Sequence, residues 1–225
     1  MRPRHFFAAL VVAASIGGCG GSPAGLSSEQ SLELIEARTH FTYKGKPIPP
    51  FFLADFNGGP GAGEFWTRGA GARISRVVVE GLIYDDEEHS EGSYNDCSFT
   101  DGGDGVVIFD LSNSEEDEGG AGWLSYKFLG TTPSGITVLE YLGNTGGSGT
   151  FHGVMFIRFE IETIGYNSDV KEDRLVMQYL GEECWGDRVF RDVELVGNEL
   201  RLGPTKSDIP DEQEFLQPAC AIPLE

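Results

Sequence analysis

Residues 151–164 read FHGVMFIRFEIETI, and this stretch decides the fold. Successive side chains of a β-strand point to opposite faces of a sheet. Val154 and Phe156 therefore share one face, while Met155 and Ile157 share the other. Both faces are apolar over much of the strand, which is typical of a strand at the buried centre of a sheet. The sequence predicts a central strand here that must be covered on both sides.

Similar apolar runs follow one another from about Phe41 onward, and clusters of Gly, Asn, Asp and Pro separate them. Val, Ile, Phe and Tyr dominate the runs, as expected for strands. The runs predict strands near residues 51–56, 73–84, 106–111, 123–129, 135–142, 151–164, 173–180, 189–196 and 199–202.

Two hairpins are indicated by their turn residues. Gly197-Asn198 forms a two-residue turn between the alternating arms of residues 193–202. A second hairpin joins residues 136–142 to 151–159. Many strands at hairpin spacing with little helix predict an all-β fold, an antiparallel β-sandwich of jelly-roll type. A lipocalin-like up-and-down barrel is the alternative.

The segment before this β domain has a different pattern. Ser27 and Gln30 match a capping box, so one short helix is expected within residues 27–38. The small residues that precede Ser27 have the composition of a flexible tether. Residues 19–40 are therefore predicted to be a tether with a short helix, and residues 41–225 a single β domain.

The first eighteen residues have the features of an export signal. Arg2 and Arg4 precede an apolar run over residues 6–16. This run is too short for a bilayer core, which needs roughly twenty apolar residues. Ile16-Gly17-Gly18-Cys19 then resembles the lipobox of bacterial lipoproteins. The resemblance covers residues 1–19 only, and it implies cleavage before Cys19, a diacylglyceryl group on its thiol and an acyl chain on the new amino terminus.

The residue after the lipid-acceptor cysteine bears on localisation. Position 20 is Gly rather than Asp. In the enteric type of lipoprotein sorting, Asp at that position retains the protein in the inner membrane. The resemblance therefore implies a lipid-anchored protein of the bacterial cell envelope, at the outer membrane in a host that has one.

The charge restricts the partners. The formal net charge is −20. Loss of Arg2 and Arg4 with the signal would take it from −20 to −22. Such a charge repels nucleic acid phosphate and anionic headgroups, so we exclude nucleic acid and direct headgroup binding. The membrane is contacted through the N-terminal lipid, and a cation, a glycan or a basic protein remains as the partner.

Three cysteines, Cys97, Cys184 and Cys220, remain besides Cys19. Exported proteins meet oxidising conditions, so one disulfide and one free thiol are expected. The preferred pair is Cys184–Cys220, because Cys184 falls in an expected turn over residues 181–186 and Cys220 in a Pro-rich tail. Pairing of Cys97 with either partner is the alternative.

The fifty residues between Arg76 and Lys127 contain no Lys or Arg and fourteen carboxylates. Most lie in two expected loops, residues 85–104 and 112–122. Carboxylates on glycine-rich loops suit hard cations, although the EF-hand pattern is absent. The candidate metal is calcium, and its candidate ligands are Asp85, Asp86, Asp101 and Asp104.

Candidate residues for other chemistry are few. Trp66 and Trp185 lie near Gly-rich segments and are candidates for stacking on sugar rings. His152 lies alone on a strand, which indicates a structural role. No nucleophile elbow, phosphate loop or His-Glu-x-x-His motif occurs, so no catalytic residue or organic cofactor is predicted.

Together these features favour an envelope lipoprotein with a non-catalytic β domain that binds a partner or has a structural role. A calcium- or carbohydrate-binding module is the first alternative. A glycan-active hydrolase is the second, since paired carboxylates could act on a glycosidic bond.

Overall fold

The structure is a computed structural model that describes residues 26–50, 52–56, 75–82, 99–103, 105–110, 122–144, 149–167, 170–207 and 217–225. Its helices are α1 (Ser28–His40) and α2 (Phe52–Asp55), with a 3₁₀ turn at Val79–Leu82. Among the helices of these ranges, none is long and apolar enough to cross a membrane. The strands are β1 (Thr42–Tyr43), β2 (Lys46–Pro47), β3 (Arg76–Val78), β4 (Phe99–Gly103), β5 (Val106–Asp110), β6 (Trp123–Thr131), β7 (Ile136–Asn144), β8 (Phe151–Asn167), β9 (Val170–Asp187), β10 (Val189–Phe190), β11 (Val193–Val196), β12 (Glu199–Leu202), β13 (Lys206–Ser207) and β14 (Cys220–Pro223).

A seven-stranded sheet with the order β3-β9-β8-β7-β6-β5-β4 organises the molecule. Every neighbouring pair in it is antiparallel. Strands β4 to β9 follow one another in chain order, so this part is an up-and-down meander, and β3 adds outside β9. The all-β antiparallel prediction is confirmed, with the connectivity of a meander within the large sheet and no closure into a barrel.

The predicted central hairpin is confirmed and lies at the middle of this sheet. β7 pairs with β8 from Ile136 opposite Arg158 to Gly143 opposite Phe151. Met155 and Ile157 are fully buried on one face, which we call the first face, and they belong to one hydrophobic cluster. Val154 is fully buried on the opposite, second face and belongs to another cluster. The centre of the sheet is therefore buried on both sides, as the alternation predicts.

The first face is covered by the segment that precedes the sheet in the chain. α1 has the predicted capping box, with Ser27 and Gln30 bonded reciprocally at its start. The helix ends at Phe41, whose φ of 55° turns the chain onto the sheet. The Phe41 ring then lies 4.9 Å from Tyr126 and 5.6 Å from Phe159, centroid to centroid. These aromatic contacts offset the small free-energy cost of placing Phe41 in the left-handed region of backbone conformation.

The second face is covered by a three-stranded sheet of order β11-β12-β14. Its β11–β12 hairpin turns at Gly197-Asn198 as predicted, with Val196 paired to Glu199. Leu200 and Leu202 are buried and pack against the second-face residues of the central sheet. This sheet-on-sheet layer gives the fold its sandwich character, and it is built by the last part of the chain.

Two predicted strands are replaced by other structure. Within residues 51–56 the chain forms the short helix α2, because Pro49-Pro50 precedes it and the Leu53 amide bonds back to the Pro50 oxygen at 2.9 Å. Of residues 73–84 the structure describes 75–82, where Arg76–Val78 pairs as a strand and a 3₁₀ turn takes the place of the rest of the predicted strand. A short apolar run does not distinguish these outcomes by its composition.

The expected turn at residues 181–186 is also wrong. β9 continues through it to Asp187, opposite Phe151. Gly181 and Gly186 lie at irregularities of the β8–β9 register and have positive φ angles. A glycine cluster can thus mark β-bulges inside one long strand rather than its end.

A close approach of three strands occurs at Gly153, which lies opposite both Tyr141 and Cys184. A Cβ atom added there would lie 2.5 Å from the backbone oxygen of Glu183 and 2.7 Å from Cζ of Tyr141. The Tyr141 ring thus occupies the space above the glycine. Only a residue without a side chain fits at this position.

We predict that Gly153→Ala lowers the free energy of unfolding by about 2 kcal/mol, since the clash involves backbone and a buried ring. Urea denaturation measures this. Gly81→Ala is the control, because a Cβ there meets nothing within 4 Å. It should change stability by less than about 1 kcal/mol. Equal effects of the two substitutions would contradict the close approach.

Arg191 ties the C-terminal segment to the rest of the domain. It is only 4% exposed. Its Nε donates to the Gly203 oxygen at 2.8 Å and its Nη2 to the Pro218 oxygen at 2.6 Å. The segment that leads into β14 is therefore held by a buried guanidinium.

We predict that Arg191→Ala lowers the free energy of unfolding by about 3 kcal/mol, because two charge-assisted bonds are lost from a buried site. Arg201→Ala is the matched control. Arg201 is exposed and, among the described residues, pairs with Glu199 and Glu194 along the surface, so its loss should cost much less than the loss of Arg191. Similar losses in chemical denaturation would show that the guanidinium is not holding the segment.

Candidate functional site

Most of the predicted metal ligands lie outside the residues that the structure describes. This applies to Asp85, Asp86 and Asp104. Asp101 lies in β4, opposite Val107. Within the described ranges no group of three or more His, Cys, Asp or Glu could hold a metal ion. The calcium site therefore remains a prediction, as does lipid attachment at Cys19, which also lies outside.

The predicted Cys184–Cys220 disulfide is not formed. Both residues are exposed free thiols. Cys184 lies in β9 opposite Gly153, and Cys220 lies in β14 opposite Leu202. The prediction depended on a turn at residues 181–186. Because β9 runs through that region, each thiol is held by the ladder of a different sheet. Cys97, the alternative partner, lies outside the described chain.

Of the two predicted sugar-stacking residues, Trp66 lies outside the described ranges and Trp185 lies in β9, half-buried. The Trp185 ring packs edge to face against His152, with 4.6 Å between centroids and an interplanar angle of 81°. Its Nε1 is buried and has no hydrogen-bond partner among the described residues. Trp185 therefore belongs to the packing of the second face, and stacking on a sugar remains a prediction.

The second face also carries a hydrogen-bonded polar pair that the sequence did not predict. His152 Nε2 lies 2.8 Å from Glu140 Oε1. The register explains the contact: Glu140 pairs with Val154 and Leu142 pairs with His152, so the two side chains are diagonal neighbours on one face. Only the β7–β8 register reveals this, and sequence spacing carries no signal for it.

Aromatic rings enclose the imidazole of this pair. His152 is 6% exposed, and Phe190 of β10 lies 5.4 Å from it, centroid to centroid. The Glu140 side chain keeps 24% of its surface exposed. We call Glu140, His152, Trp185 and Phe190 the histidine cluster. The cluster combines the buried imidazole of His152 with the Glu140 carboxylate, which reaches solvent.

The hydrogen bond limits what the histidine cluster can do chemically. With Glu140 ionised, Nε2 of His152 carries the proton and donates it to the carboxylate. The other nitrogen, Nδ1, is buried and has no partner in the described part of the chain. A general base must reach a substrate proton within hydrogen-bond distance. Nδ1 of His152 is buried and Nε2 is bonded to Glu140, so the geometry supports the structural role predicted for it.

Two tyrosines of the first face have strongly raised pKa values. Burial raises the pKa of Tyr126, whose hydroxyl donates to the Ile48 oxygen at 2.6 Å. Burial first, and the negative charge of Glu182 second, raise the pKa of Tyr141. Both hydroxyls therefore keep their protons well beyond the usual range of tyrosine.

Tyr43 belongs to a third polar group, beside the β3 edge of the sheet. Its hydroxyl donates to Glu80 Oε1 at 2.7 Å, and Glu80 also pairs with Arg174 of β9. Burial, followed by the charge of Glu33, raises the Tyr43 pKa from 10.0 to about 12. This group links β1, the 3₁₀ turn and β9.

Comparison with known proteins gives no relative: no protein family, curated protein or solved structure matches this chain. Any functional assignment therefore depends on its own residues.

The tyrosine contacts predict a stability loss in alkali. The folded chain keeps the Tyr43 proton up to about pH 12, whereas the unfolded chain loses it near the ordinary value of 10.0. Between these values unfolding releases a proton, so the free energy of unfolding falls as pH rises. Denaturation of wild type and Tyr43→Phe across this pH window measures the fall, and the variant should lose less of its free energy of unfolding than wild type.

Phenolate absorbance should show Tyr126 and Tyr141 ionising only on unfolding. Early ionisation of all tyrosines in a folded chain would contradict their burial.

Proposed function

We propose that this chain is a lipid-anchored protein of the bacterial cell envelope, with a non-catalytic β domain that binds a partner or supports the envelope. The observation that carries the proposal is the segment Ile16-Gly17-Gly18-Cys19 behind a short apolar run. The first described helix is capped at Ser27, eight positions after Cys19. This spacing suits a lipid anchor, a brief tether and then a folded domain.

The non-catalytic part of the proposal is supported by the histidine cluster. Its imidazole is enclosed by Trp185 and Phe190, and its exposed member is the Glu140 carboxylate. This arrangement holds β7 and β8 together and turns the imidazole of His152 toward Glu140, Trp185 and Phe190. The acidic charge favours a cation or a basic protein as the partner, since opposite charges steer association.

The anchor is tested by the mass of the protein extracted from membranes. We expect the chain to begin at Cys19 and to carry a diacylglyceryl group and an amide-linked acyl chain, palmitate being the expected fatty acid. Cys19→Ser removes the acceptor thiol, so this variant should be recovered unacylated, either in the soluble fraction or with its signal uncleaved.

Cys220→Ser is the control for this substitution, because Cys220 is another exposed thiol. It should remain acylated and membrane-bound. An unmodified Cys19 in membrane-extracted wild type would overturn the anchor. Equal acylation of the Cys19 and Cys220 variants would do the same.

A further inference from the structure

The exposed apolar side chains of the described chain are concentrated at one place. Four large hydrophobic residues of the described chain are exposed: Leu26, Leu32, Ile35 and Val196. Three of these four lie within the ten positions from 26 to 35. Leu32 is 66% exposed and Ile35 is 57% exposed, whereas Val196 is 38% exposed. Single exposed aliphatic residues are common on proteins, but a group on one short helix is not explained by chance exposure.

Three charged side chains of α1, those of Glu33, Glu36 and Arg38, contact the protein rather than extending into solvent. Glu33 pairs with Lys44 at 3.4 Å. Glu36 accepts hydrogen bonds from Thr42 and from the Gly45 amide, and Arg38 donates to the Phe159 oxygen at 2.7 Å. The usual surface helix turns its apolar stripe to the core and its charges to water. α1 uses its charges to dock on the domain.

The outward side of α1 is therefore an uncharged stripe. Residues three or four positions apart share one side of a helix. Ser28, Leu32, Ile35 and Thr39 have this spacing, and all four are exposed. We call these four residues the α1 stripe. The inward positions Leu34 and Ala37 contact the first-face core, so the α1 stripe faces away from the domain.

The position of the stripe in the chain indicates what covers it. Ser27 lies eight positions after Cys19, and an extended chain spans at most about 3.5 Å per residue. A lipid on Cys19 would therefore hold the start of α1 within about 30 Å of the bilayer. The helix is the part of the described domain closest in sequence to the anchor.

We propose that the α1 stripe lies against the surface of the membrane that carries the anchor, with Leu32 and Ile35 inserted among the lipids. This inference rests on the proposed lipid anchor. The lipid surface that the stripe contacts is zwitterionic, because the net charge of −20 repels anionic headgroups and the exposed Glu29 adjoins the stripe. A short apolar face suffices for such contact when a covalent lipid supplies the affinity.

The test places a photocrosslinking benzoylphenylalanine at position 35 or, as the control, at position 196. Each acylated full chain is reconstituted into phosphatidylcholine vesicles and irradiated, and the adducts are identified by mass. Burial of one aliphatic side chain changes an equilibrium by about tenfold, so position 35 should yield about tenfold more phospholipid adduct than position 196. Leu32→Ser should lower the yield at position 35, and vesicles rich in phosphatidylglycerol should do so as well.

Equal phospholipid yields at the two positions would overturn the inference, as would adducts of position 35 with a second copy of the chain. The intact mass of the same sample reports the acyl chains on Cys19. Acylated protein with equal yields overturns the membrane contact and leaves the anchor standing. Absence of acyl chains overturns the anchor and, with it, the membrane contact.

Discussion

The structure depends on one constraint: the middle of β8 is apolar on both faces. Met155 and Ile157 on one side and Val154 on the other are fully buried. A sheet with two apolar faces is stable in water only when both are covered. The chain supplies one cover before the sheet, with α1, α2 and Phe41, and the other after it, with β11, β12 and β14. The meander between them needs no crossing connection.

How much of this could be predicted from sequence varies with the kind of signal. Side-chain alternation predicted that β8 is buried on both faces, Gly197-Asn198 predicted the β11–β12 turn, and Ser27 with Gln30 predicted the start of α1. These signals are local, and local geometry determines each of them. Residues 181–186 were wrongly predicted to form a turn. A stretch bounded by glycines suits both a turn and a bulged strand, and the choice between them depends on pairing with β8.

The histidine cluster was beyond prediction for the same reason. Glu140 and His152 are twelve positions apart, and their contact at 2.8 Å exists only through the register of two strands. The predicted disulfide failed because it assumed a turn at residues 181–186, where pairing with β8 holds Cys184 in the sheet. By contrast, α1 shows how one helix can connect the proposed anchor to the core. Its inner side packs on the first face, and its outer side exposes Leu32 and Ile35, which we propose contact the membrane.

The most direct test of the two-sided sheet is native-state hydrogen exchange, resolved by residue. If β7 and β8 form the doubly covered centre, the amides of Val138, Leu139, Met155 and Ile157 should exchange only when the whole domain unfolds. Amides of α1 and of the β11–β12 hairpin should exchange sooner, since each cover lies at one surface of the sandwich. Faster exchange in β7 and β8 than in either cover would contradict the account.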